Sequence, residues 1–120
     1  MTVYVKDASK SVLSGLGKMK AAMIADYAEF MPPTKSPVTA KMNADYADNF
    51  DIRYGKKYIK IVEKGGGVKA FVVGVDNDKK FKKGDILMAA GWNAPARNAA
   101  RGNVLDGGYP IDWTGACYLK

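Results

Sequence analysis

Apolar residues recur at helical spacing through the first part of the chain. Val12, Leu16, Met19, Met23, Tyr27 and Phe30 are separated by four, three, four, four and three positions, which puts them on one helix face. Asp7, Ser9 or Ser11 can cap the start of that helix. Gly15 and Gly17 each cost about 1 kcal/mol in a helix interior, so the firm part is expected to begin near Lys18. Met31-Pro32-Pro33 ends it, because proline lacks an N–H and restricts the residue before it. Ser36-Pro37 then reads as an N-cap followed by proline at the first helical position. Val38, Met42, Tyr46 and Phe50 repeat every four residues, which predicts a second, shorter helix through about Asn49.

From Tyr54 the period changes to that of strands separated by glycine-rich turns. Val3–Val5 is a short strand or an extended arm. Lys57–Glu63 is a strand with Ile59 and Ile61 on one face, and Gly65-Gly66-Gly67 is a turn. Val68–Val75 and Asp85–Ala90 follow as strands, then Gly102–Leu105 and Ile111–Leu119. Pro95 and Gly102 can bracket one helical turn in the longer connection between them. Five short strands at this spacing predict a small antiparallel barrel or a strongly bent sheet. The expected fold is α+β: one domain over residues 1–120, with a helical segment, 1–53, packed on a small five-stranded antiparallel β-barrel, 54–120.

Composition narrows the chemistry. Hydrophobic residues make up 48% of the chain, enough for a packed core. Nineteen Lys and Arg against twelve Asp and Glu give a net charge of +7. The excess is spread over both halves, which favours contact with polyanions and also aids solubility. Histidine is absent and Cys117 is the single cysteine, which excludes His-based nucleophile pairs and a zinc site with nitrogen and sulfur ligands. No metal and no cofactor are expected. No apolar run approaches the roughly 20 residues of a membrane span, and a cytoplasmic location is the expectation. Cys117, beside Ala116, Tyr118 and Leu119, reads as a small core residue.

Two motifs fail on spacing. Gly17-Lys18 lacks the upstream glycine and following Ser or Thr of a phosphate loop, having Val12 and Met19 there. Asp76-Asn77-Asp78 lacks the later ligands of a calcium loop, with Lys80 and Phe81 in their places. Asp45 and Asp48 share a face of the second helix, with nothing in the sequence to place them in a cleft.

The basic features offer more. Lys79, Lys80, Lys82 and Lys83 flank Phe81, and such a cluster either meets a phosphate backbone or forms a solvated turn. Arg97 and Arg101 fall on one side of a helical turn, where they contact bases or sugars, or else pair with Asp85 or Asp106. Trp92 can stack on a base, although a tryptophan in a small barrel more often fills it. Trp113 alternates with Ile111 and Gly115 and is expected in the core.

The runs GKKYIKIV, AFVVG, KKFKKGDILMAAGWNAPARNAARGNV and WTGACYL, within about Gly55–Leu119, resemble small uncharacterised proteins of tailed bacteriophages, particularly from marine viral sequences. The resemblance carries no activity and no functional residues. The helix-then-strands layout is similar to an Sm-like small barrel, which implies ring-like self-assembly and a loop surface that contacts RNA. The expected function is therefore a non-catalytic phage accessory protein that binds RNA or DNA. The tentative site is Lys79, Lys80, Lys82, Lys83, Arg97, Arg101 and Trp92. The alternative is a virion-structural or homo-oligomeric interaction protein, and a carboxylate- or lysine-dependent hydrolase is the third class.

Overall fold

The computed structural model describes residues 3–64 and 67–116. The chain runs β1 (Val3–Val5), α1 (Val12–Phe30), α2 (Pro37–Asp48), β2 (Phe50–Tyr54), β3 (Tyr58–Glu63), β4 (Gly67–Val73), β5 (Ile86–Leu87), β6 (Tyr109–Asp112) and β7 (Gly115–Ala116). The fold is α+β, with two antiparallel sheets. One has the order β1-β6-β7 and the other β2-β3-β4-β5.

Helix α1 starts at its cap: the Ser11 side chain accepts from the Ser14 N–H at 3.1 Å. It does not wait for Lys18. Gly15 lies inside it because a Cβ there would stand 2.6 Å from the Val104 carbonyl oxygen. The helix thus approaches the 103–105 segment more closely than any other residue allows. Helix α2 opens on a reciprocal cap between Ser36 and Thr39, with Pro37 at the start of the helix.

The main core lies between α1 and both sheets. Leu16, Met19 and Met23 of α1 meet Ile59, Ile61, Ala70, Val72 and Ile86 of one sheet, and Val5, Tyr109, Ile111 and Ala116 of the other. Each such side chain contributes about 1.5–3 kcal/mol on burial. A second cluster, Phe71, Val73, Phe81 and Leu87, lies apart from it. Cross-strand partners share a face, and Phe71 stands opposite both Lys60 and Leu87. Helices and sheet meet through an aromatic group in which Tyr27 stacks on Tyr46 at 4.3 Å and Phe30 on Trp113 at 5.0 Å. The Tyr46 hydroxyl donates to the Trp113 carbonyl at 2.6 Å, and buried Asp26 accepts from the Trp113 N–H at 2.9 Å.

Several expectations are corrected. Among the described residues the strands form sheets of three and four and do not close into a five-stranded barrel. Val3–Val5 is a strand, β1, and β2 (Phe50–Tyr54) is a strand that sequence spacing assigned in part to the second helix. Phe50 continues the four-residue spacing of α2 yet opens β2, because the helix ends at Asp48. Val38 and Met42 of the predicted stripe are exposed, while Tyr46 is buried. The strand expected over Asp85–Ala90 shortens to Ile86–Leu87.

The strand expected over Gly102–Leu105 shortens to a bridge. Asn103 pairs antiparallel with Asp85, the Ile86 N–H donates to the Gly102 carbonyl at 2.8 Å and the Val104 N–H to the Gly84 carbonyl at 2.9 Å, and the chain then turns at residues 104–106. The amide of Asn103 donates to Asp85 at 2.9 Å and to the Lys83 carbonyl at 3.0 Å, and its oxygen accepts from the Leu105 and Asp106 N–H groups. That side chain fixes the turn that follows the bridge. No helix spans Pro95–Gly102, and Pro95 instead bridges Ala89. Trp113 is half-buried in the aromatic group. Cys117 and part of the predicted 111–119 strand lie outside the described residues, as do Gly65 and Gly66. Among the described residues no helix is long and apolar enough to cross a membrane.

Candidate nucleic-acid interface

After β5 the chain doubles back on itself. Ala96 N–H donates to the Met88 carbonyl at 2.7 Å and Ala90 N–H to the Ala94 carbonyl at 2.8 Å. Pro95 tolerates this position because the ladder asks no N–H of it. Trp92 and Asn93 therefore sit at the tip of a narrow excursion. The tip reaches the hairpin of β2 and β3: Lys60 donates to the Asn93 side-chain oxygen at 2.8 Å.

Trp92 does not fill a core. It is 48% exposed, with the Lys60 ammonium 4.3 Å and the Arg53 guanidinium 5.4 Å from its ring centroid. Arg53 and Lys60 are cross-strand partners and so share a face of the sheet. An open groove of about 320 Å³ lies alongside, lined by Arg53, Tyr54, Lys56, Lys57, Lys60 and Asn93 together with Gly55, Tyr58 and Phe71. Tyr54 is 64% exposed at its rim.

The acids near this groove are already committed. Asp51 accepts from Arg53 at 2.9 Å, a bond that lowers its pKa. The Asp78 carboxylate is shielded from solvent and forms ion pairs of 2.9 Å with both Arg97 and Lys57. It also accepts from the Lys80 and Phe81 N–H groups at 2.8 and 2.9 Å. The Arg97 bond first, then the Phe81 N–H, Lys57 and the Lys80 N–H hold this carboxyl well below the usual carboxylate range. The exposed charge of the groove is consequently positive.

The seven residues singled out from sequence divide into three groups. Arg97 is structural in its contacts: it pairs with Asp78, donates to the Tyr58 hydroxyl and lies 4.9 Å from the Phe81 ring centroid. Arg101 turns back on its own loop, donating to the Ala99 carbonyl and to Asn98 at 3.3 Å. The acid that Arg97 pairs with is Asp78, and Lys82 takes Asp106 at 2.6 Å. Lys80 donates to the Arg97 carbonyl at 2.6 Å. Lys79 and Lys83 are exposed. Phe81 between the lysines is buried, so they ride on a turn anchored by that ring. None of the seven lines the groove itself; Trp92 stands beside it, against the lining residues Arg53 and Lys60.

Arg53, Tyr54, Lys56 and Lys60 were not singled out from sequence. The signal was there: Phe50–Tyr54 alternates in period two, and a strand there would have put Arg53 opposite Lys60 across a Gly-Lys-Lys turn. The α2 spacing that reaches Phe50 masked it.

Among the described residues no group of three or more acidic or cysteine side chains is placed to hold a metal ion. A model described as a family of unknown function, DUF7717, matches residues 3–119, and the chain belongs to that family. No curated protein and no solved structure matches the chain.

Proposed function

We propose that this DUF7717 member is a non-catalytic accessory protein of a tailed bacteriophage that binds single-stranded nucleic acid in the groove beside Trp92. The phage setting comes from the resemblance of residues 55–119. The observation that carries the binding reading is a half-exposed tryptophan with two cations against its ring, at the edge of a positively charged groove. Lys56, Lys60 and Arg53 are placed to meet phosphates, and the Trp92 ring to take a base when Lys60 moves to a phosphate. An unstacked base is required for that contact, which favours single strands over duplex.

Fluorescence anisotropy with labelled single-stranded DNA, single-stranded RNA and duplex, titrated against salt, tests the reading. Single strands should bind at low salt and release steeply as salt rises. Trp92→Ala should weaken binding about tenfold, in line with the stacking contribution of one base. Absence of binding at low salt, or binding indifferent to Trp92→Ala, overturns it.

A further inference from the structure

Strand β2 is the edge of its sheet, and its sequence is self-complementary. It pairs with β3 on one side and is last in the order β2-β3-β4-β5. The Gly55 N–H donates to the Tyr58 carbonyl and the Lys64 N–H to the Asn49 carbonyl, both in the register of this pair. Antiparallel ladders alternate, so positions 49, 51, 53 and 55 face β3. The backbone groups of Phe50, Ile52 and Tyr54 therefore point outward. Among the described residues no other element packs extensively against β2.

An outward row of donors and acceptors is a template for another strand. We propose that the occupant is β2 of a second copy of this chain, antiparallel about a two-fold axis through Ile52. The outward groups dictate that choice of register. With Ile52 opposite Ile52 of the second copy, Phe50 falls opposite Tyr54, and these outward-facing residues form the hydrogen-bonded pairs. Asp51 then falls opposite Arg53 twice, at the non-hydrogen-bonded positions where side chains come closest. Asp51 and Arg53 already approach to 2.9 Å within one chain, so both charged ends lie together on one face and are half-exposed. The neighbouring two-fold registers are disfavoured by charge. A shift one way sets Asp51 against Asp51, and the other way Arg53 against Arg53. The central register also gives the longest overlap, pairing all five residues of β2, and lets the exposed Tyr54 ring pack on the partner's Phe50.

The product is a continuous eight-stranded sheet across two protomers with isologous symmetry. A five-residue ladder is short, so the dimer is concentration-dependent and not obligate. The inference stands independently of nucleic-acid binding, because it uses the edge of β2 and no ligand.

Sedimentation velocity of nuclease-treated protein over a micromolar concentration series tests it. The native chain should shift from monomer to dimer as concentration rises. Asp51→Arg and Arg53→Asp should each weaken association about tenfold or more, since two symmetric attractions become repulsions. The double reversal, Asp51→Arg with Arg53→Asp, restores opposite charges in the same register and should recover the dimer. That recovery also separates a pairing defect from a folding defect. A chain that stays monomeric throughout the series overturns the proposal, as does a dimer indifferent to both single reversals or one the double reversal fails to restore.

Discussion

Asp78 shows how one residue can organise a surface it does not expose. Its carboxylate gathers Arg97, Lys57 and two N–H groups, and so ties the lysine turn, the Arg97 loop and the β2–β3 turn to one point. Asp78→Asn keeps the shape and removes the charge. We expect a lower Tm, with a larger loss than for Asp51→Asn, whose carboxylate remains in contact with solvent. The effect has a defined pH dependence. A carboxyl held below its ordinary pKa stabilises the fold fully above the unfolded value near 3.9 and progressively less below it. The Tm gap between native and Asp78→Asn protein should therefore be constant above about pH 5 and narrow as acid is added below about pH 4. Thermal melts across that range check both points. A gap that widened toward acid would show that the carboxylate is not stabilising as the anion.

Elements were legible where a local signal agreed with the packing. The α1 stripe, the Ser36-Pro37 start of α2 and the Ile59/Ile61 face of β3 can each be read from spacing alone. What escaped was set by contacts distant in sequence. Strand β2 was hidden by an accidental four-residue spacing, and the strand expected over Gly102–Leu105 is cut to a bridge at Asn103, whose side-chain oxygen turns the chain at Leu105 and Asp106. Gly15 and Gly17 look alike in sequence, yet the fold distinguishes them. A Cβ at Gly15 meets Val104, whereas one at Gly17 meets nothing within 4 Å. Alanine at position 17 should stabilise by about 0.5–1 kcal/mol through helix propensity. Alanine at position 15 gains the same propensity but overpacks against the Val104 backbone, and should destabilise by about 1–3 kcal/mol. Urea unfolding of the two variants measures the difference, and equal effects would mean that α1 does not lie as close to the 103–105 segment as described.

At the scale of the whole molecule, a net charge of +7 attracts any polyanion, so binding alone does not identify a site. Two cationic surfaces among the described residues are to be compared. One is the groove with Lys56 and Lys60, and the other is the turn with Lys79 and Lys83. The aromatic side chains favour the groove, since Trp92 and Tyr54 are open there while Phe81 on the turn is buried. Two double variants separate the surfaces, because each removes two charges and leaves the molecule equally basic. Counterion release makes the slope of log affinity against log salt fall by about 0.7 for each single-strand phosphate the protein no longer neutralises. Lys56→Ala with Lys60→Ala should flatten the slope by about 1.4 and weaken binding at every salt concentration. Lys79→Ala with Lys83→Ala should leave the slope nearly unchanged, and shift affinity only by the weaker long-range attraction that salt screens within about 10 Å at 0.1 M. The reverse pattern would move the binding surface to the lysine turn, where no exposed aromatic ring is available to hold a base.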